Sequence, residues 1–345
     1  MPSSPYLTWA AACTRTSWWH DSADPRELDL GLQRGCVGVT TNPFLSAIAV
    51  NANRQLWADR IREALDASDQ PEVRAESLMR IAVTQAAQKL LPQFHDTEGR
   101  HGYVCAQVNP LRAGDRSAML AMARRFHAWS PNIAVKLPAT AAGLDVLEEC
   151  VAEGITVAAT VSFTVPQALA IARRHRAGLA RAAANGRPSA RCFAVLMVGR
   201  LDDYLREVAD DNCADVAPAD IQQAGIAVAK RSYAIYQENR YEATLLIAAL
   251  RGIHHMTELV GGELIMSIFP SWQPLLMSET LPREERIQRP VLHKVIERLV
   301  RIPDFRRAYD PQGMEPGEFI GFGVTQRTLG QFADAGWKLL ESFKA

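Results

Sequence analysis

Residues 133–163 read IAVKLPATAAGLDVLEECVAEGITVAATVSF. Two short apolar runs, IAVKLPA (133–139) and TVAATVSF (156–163), flank GLDVLEECVAEG (143–154), whose apolar residues recur at spacings of three and four. Near-continuous apolar runs are what parallel strands covered on both faces present, and the intervening period is that of an amphipathic helix. The same alternation extends along the chain. Six further runs are SWWHD (17–21), CVGVTTN (36–42), YVCAQVN (103–109), CFAVLMVGR (192–200), ATLLIAAL (243–250) and ELIMSIF (263–269), with helical periods in AESLMRIAVTQAAQKLL (75–91) and AMLAMARRFHAW (118–129). Eight strands alternating with helices predict an α/β chain folded as a (β/α)8 TIM barrel, for which about 250 residues is typical.

The chain has 345 residues, so a surplus must be placed. We assign it to additional helices around 203–240 and to a C-terminal helical extension from about 290 to 345. The barrel strands then lie within about 17–270 of one domain, 1–345. The closing FADAGWKLLESF (332–343) has the pattern of an amphipathic helix packing on the barrel. A doubly wound open sheet is the structural alternative, but no G-x-G-x-x-G follows the first strand.

Composition narrows the classes of function. At 48% hydrophobic and 22% charged residues, neither disorder nor a fibre is in question. Lys plus Arg (38) equals Asp plus Glu (38), so no bulk field recruits nucleic acid or an anionic membrane. The cysteines at 13, 36, 105, 150, 192 and 213 form no C-x-x-C pair, which suggests neither a zinc site nor a disulfide framework. The start, MPSSPYLTWAAACTRTSWWH, lacks a basic region followed by a sustained apolar core, and no stretch of about 18 apolar residues occurs. A soluble, cytoplasmic protein is expected.

Barrel chemistry gathers at the C-terminal ends of strands. The polar side chains expected there are Asp21, Asn42, Gln107, Lys136, Thr160, Arg200 and Arg251. Lys136 is the most informative, because an ammonium among the apolar residues of IAVKLPAT is costly unless paired or neutralised. An ordinary lysine has a pKa of about 10.4, and a fall of about 3 units, costing near 4 kcal/mol, makes a large fraction nucleophilic at neutral pH. Such an amine forms a Schiff base with a ketone or aldehyde. The other reading is a structural lysine, ion-paired inside the barrel to Asp21 or another carboxylate. Arg200 and Arg251 have no obvious carboxylate partner in their local sequence, and two guanidiniums at a barrel mouth suit a phosphate. A pair of surface salt-bridging arginines is the alternative.

Four blocks occur in order: GVTTNPFL (38–45), VKLPATAAGL (135–144), EGITVAATVSFTVPQAL (153–169) and VGRLDDY (198–204). Together they resemble the transaldolases and the related fructose-6-phosphate aldolases, and GEFIGFG (317–323) looks like the transaldolase tail. The resemblance implies a (β/α)8 barrel with a Schiff-base lysine, Lys136, on the fourth strand, and no metal or organic cofactor. It implies that Asp21 accepts the proton of the hydroxyl whose C–C bond breaks, and that Asn42 binds substrate hydroxyls. It further implies that Thr160 and Gln107 hold a water during imine formation, and that Arg200 and Arg251 hold phosphate. Without it, Asp21 reads as an exposed strand-end aspartate or a helix cap, and TTNP as a structural turn.

The chain departs from that pattern at several places. Most transaldolases have Glu where Gln107 stands, and an amide positions water but cannot take its proton. The aldolases are similar in having Gln. Ala158, Val195 and Met197 replace an asparagine, a serine and an aromatic residue at the donor-ketose end of the pocket. Each lost polar contact weakens binding of a dihydroxyacetone unit by about 1 kcal/mol if its hydroxyls go unpaired. Ala249 replaces a serine that assists phosphate. His254 and His255 are adjacent, the wrong spacing for a metal pair on a helix, and read as core or surface histidines. Trp18, Trp19 and Trp129 read as packing residues.

The expected function is therefore transfer of a ketol, dihydroxyacetone-like unit between phosphorylated sugars through Lys136, with diverged donor preference. Two alternatives stand: an aldolase that uses a free ketone, in fructose-6-phosphate cleavage or a biosynthetic pathway, and a non-catalytic sugar-phosphate-binding barrel. By fold analogy the added helices suit a homodimer.

Overall fold

The computed structural model describes residues 5–344. Eight parallel strands close into a barrel in sequence order: β1 (Ser17–His20), β2 (Gly38–Val39), β3 (Tyr103–Gln107), β4 (Ile133–Pro138), β5 (Val157–Thr160), β6 (Cys192–Met197), β7 (Thr244–Ala248) and β8 (Leu264–Ile268). β8 pairs with β1, with Ser17 opposite Ile265 and His20 opposite Ile268. Every residue of β3 to β6 is buried, which explains why these strands read as continuous apolar runs.

The lower barrel is filled by aromatic side chains. Trp19 and Tyr103 meet Phe193 edge-on, with ring centroids 4.6 and 5.3 Å apart. Gly38 makes room for this layer, because a Cβ there would stand 2.4 Å from the Trp19 ring. His20 points the other way, into the helix layer, where Nδ1 accepts a hydrogen bond from Gln273 Nε2 at 2.8 Å.

Polar residues just beyond several strands start the helices that follow. Asn42, Thr140 and Thr164 accept backbone N–H groups of the first helical turns, and Pro43 takes the first position of the helix Pro43–Ala52. The added helices lie where the length surplus was assigned, with one addition. Between β6 and β7 are Val198–Asp211, Pro218–Ile221 and Ala224–Asn239. After β8 come short helices and a final helical run from Gly323 to Glu341, interrupted by a π-helical stretch at Ala333–Trp337. The addition is the β2–β3 connection, which holds three helices, Pro43–Ala52, Ala58–Asp66 and Pro71–Asp96, where the sequence marked one period. The final run packs on the first and third of these. A short helix, Tyr6–Cys13, precedes β1 and was not expected. Among the described residues, no helix is long and apolar enough to cross a membrane.

Candidate active site

A cavity of about 280 Å3 opens where the strands end. Lys136 stands at its base, 5% exposed, in register with Gln107 on β3 and Ala158 on β5. Paired positions on neighbouring strands share a face, so all three side chains turn toward the barrel axis. Lys136 Nζ donates to the Thr41 carbonyl oxygen at 3.0 Å. Among the described residues no carboxylate forms an ion pair with it, so its amine is not consumed by the structural pairing that the sequence left open.

Asp21 follows β1 and faces the same cavity. Thr40 Oγ1 donates to Asp21 Oδ1 at 2.6 Å, and Ser267 Oγ lies 2.6 Å from Thr40 Oγ1. A hydroxyl has one proton, so with Asp21 ionised the chain runs from Ser267 to Thr40 to the carboxylate. Burial raises the Asp21 pKa above the ordinary carboxylate range, against the opposing effects of Thr40, the Lys136 charge, Ser267 and Arg200. The sequence reading missed Ser267, although it is the polar interruption in ELIMSIF.

Asn42 lines the cavity while its Oδ1 accepts the Leu45 N–H at 2.9 Å. The cap and cavity roles thus coexist, since only Oδ1 is used by the helix. Gln107 and Thr160 are buried and do not line the cavity. Gln107 Oε1 has no hydrogen-bond partner among the described residues, and the Thr160 hydroxyl has only Met197 Sδ at 3.9 Å. Directly after Thr160 the backbone of Val161 adopts φ 54°, which a β-branched residue rarely does. Two contacts hold this turn: Gln167 Nε2 donates to Val161 O, and Ser162 Oγ donates to Val195 O.

The structure corrects the placement of one arginine and adds a partner to the other. β6 ends at Met197, so Arg200 is not a strand-end residue but the third residue of the helix Val198–Asp211, which starts without a loop. Arg251 does have a carboxylate partner: its Nε donates to Asp203 Oδ2 at 2.7 Å, from that same helix. Nothing in the local sequence marks it, because Arg251 and Asp203 are distant in sequence and meet only through the fold. Both arginines still line the cavity. Burial, followed by the adjacent Arg251 charge, pushes the Arg200 pKa down to about 10. Two guanidiniums sharing one wall leave a positive site suited to an anion. Arg200 also donates to Gln331 Oε1 and lies over the Phe332 ring, 5.2 Å from its centroid.

Val195 and Met197 line the cavity and, with Ala248 and Leu250, form an apolar wall. Ala158 is fully buried and does not line it. Phe44, Phe269, Trp272 and Phe332 complete the rim, and none of them was singled out by the sequence. Trp18 and Trp19 are buried and Trp129 stacks on Phe126. A larger cavity, about 420 Å3, lies in the helix layer against Ala224–Asn239; its Lys230 is engaged by Glu258 and the Arg289 carbonyl.

A family model described as Transaldolase/Fructose-6-phosphate aldolase matches residues 18–300. A transaldolase of Thiobacillus denitrificans is 29% identical over 324 residues, covering 89% of this chain and 87% of that relative. One of Neisseria gonorrhoeae is 31% identical over 218 residues, 61% of this chain and 59% of the relative. One of Mycobacterium leprae is 29% identical over 246 residues, 68% of this chain and 65% of the relative.

Proposed function

The chain belongs to the transaldolase/fructose-6-phosphate aldolase family, and from that premise we propose that it transfers a ketol unit between sugar phosphates through an imine on Lys136. One observation carries the reading: a single unpaired amine, one carboxylate and two guanidiniums face the same cavity at the strand ends. Lys136 Nζ attacks the ketose carbonyl carbon and water leaves, giving the iminium. Asp21 takes the proton of the β-hydroxyl as the C–C bond breaks, and the bonding electrons move into the iminium to give an enamine. The aldehyde fragment departs with the phosphate. The enamine then adds to an acceptor aldehyde, and hydrolysis of the new imine frees the lysine.

In this account Arg200 and Arg251 hold the phosphate, and Asn42 binds a substrate hydroxyl. Gln107 and Thr160 hold the water of imine formation, a role supported by the unpartnered Gln107 Oε1. Val195 and Met197 face the donor unit, and Ala158 adds no polar contact to it. The six unpaired cysteines support placement in the cytoplasm. For assembly we propose a homodimer through the added helices, to be measured by light scattering.

The apolar wall and Gln107 favour cleavage with release of a free ketone as the second reading. The two separate in one assay. Transfer requires that fructose 6-phosphate be consumed only when an aldose phosphate acceptor is present. Acceptor-independent release of dihydroxyacetone at the same rate assigns cleavage instead.

A further inference from the structure

His255 and Asp202 are buried, 0% and 1% exposed, and neither lines the cavity. His255 Nδ1 receives the backbone N–H of Arg251 at 3.0 Å. His255 Nε2 lies 2.8 Å from Asp202 Oδ2, and Asp202 Oδ1 accepts the Gly225 N–H at 2.8 Å. A backbone amide can only donate, which fixes every polarity in this chain. Nδ1 carries the lone pair, Nε2 carries the proton, and Asp202 accepts from both sides. Asp202, His254 and His255 approach within 4.8 Å, as a metal site would, but His255 has no lone pair left for a cation.

The segment held by this chain needs holding. Ala249 has φ 57°, a conformation that L residues adopt reluctantly, and its carbonyl accepts from Arg251 Nη1 at 3.1 Å. The helix Val198–Asp211 approaches so closely that a Cβ on Gly199 would stand 2.2 Å from the Ala249 oxygen. Asp203 grips the Arg251 guanidinium from that helix, and Asp202, one residue earlier, reaches the Arg251 backbone through His255.

We propose that Asp202 and His255 are positioning residues that fix the Arg251 backbone, so that its guanidinium joins Arg200 in holding the substrate phosphate. The proposal rests on the reading of Arg200 and Arg251 as the phosphate site. It makes the hydrogen-bond polarity of the buried pair, and not only its volume, a determinant of selection for phosphorylated substrates.

Asp202→Asn tests polarity at constant shape. The amide has one oxygen for two donors, so it must set an N–H against either the Gly225 N–H or the protonated Nε2; in the second case the other tautomer only moves the clash, setting Nδ1–H against the Arg251 N–H. The expected result is a KM for fructose 6-phosphate raised about tenfold, as loss of one buried hydrogen bond implies. Borohydride-trapped imine from unphosphorylated dihydroxyacetone should stay within about twofold of wild type, since losing that one hydrogen bond touches no group near Lys136. A KM unchanged in Asp202→Asn while Arg251→Ala raises it overturns the proposal and leaves the phosphate site standing. A KM unchanged in Arg251→Ala overturns the phosphate reading and the proposal with it. If Asp202→Asn does not fold, His255→Asn and His255→Leu decide. Asn offers an acceptor to the Arg251 N–H where Nδ1 stood and should give the lower KM, whereas equal values for the two overturn the proposal.

Discussion

Asp21 is kept in surroundings that oppose its charge, and that opposition bears directly on the proton-accepting role proposed for it. Because burial raises its pKa, the carboxylate loses its capacity to accept a proton at a higher pH than an ordinary aspartate would. The acid limb of the kcat profile is expected above the usual carboxylate range, and Asp21→Asn should lower kcat by about 10²–10⁴-fold, the scale of general base catalysis. Thr40→Val removes the hydroxyl that donates to Oδ1 and should move the acid limb further up. The stability consequence has the opposite sign. A carboxylate with a raised folded-state pKa contributes stability fully below its unfolded pKa and loses it as pH rises through the folded one. Asp21→Asn should therefore melt above wild type at neutral pH, with the difference closing in acid. Lys136 was legible in the sequence because it stands out in an apolar strand and falls in a motif block, and Asp21 because it is the polar end of the first strand run, SWWHD. Ser267 was not, because a single serine in an apolar run has no local signature of hydrogen bonding across a barrel.

At the scale of elements, the site depends on close approaches that glycine permits. A Cβ on Gly199 would meet the Ala249 oxygen and Arg251 Cγ at 2.2 and 2.4 Å, so Gly199→Ala should separate the helix from the 249–251 segment. Raised KM for phosphorylated substrate and a loss of about 1–3 kcal/mol in denaturant unfolding are the expected readouts. Gly336, in the π-helical stretch, abuts the start of Pro43–Ala52, where a Cβ would lie 2.5 Å from the Phe44 nitrogen. Gly336→Ala should cost a similar amount, about 1–3 kcal/mol, by pushing the final helix off that contact. The eight strands were readable because parallel strands buried on both faces leave continuous apolar runs. Their ends were less so: VGR continues the apolar run of β6, yet helix begins at Val198, because no turn residue separates the two elements. The helix Ala58–Asp66 escaped notice because only Ile61 and Ala64 on it are buried, too few to establish a period.

The whole molecule closes its site with its own tail. Gln331 and Phe332 come from beyond the barrel to contact Arg200, more than 130 residues earlier in the chain, and Phe332 forms part of the cavity wall. No local pattern announces such a contact, whereas the order of strands is written unit by unit along the sequence. Phe332→Ala removes a cation–π contact of about 0.5–1 kcal/mol and one apolar wall, and should raise KM for the phosphorylated donor several-fold; because the ring is buried, it should also cost about 3–5 kcal/mol in denaturant unfolding. All of these roles converge on the lysine at the base of the cavity. The most direct test is peptide mass spectrometry after borohydride reduction of the enzyme with fructose 6-phosphate. The account predicts one stable adduct, on the peptide carrying Lys136, and none in Lys136→Ala; an adduct on another lysine, or turnover that survives Lys136→Ala, would contradict it.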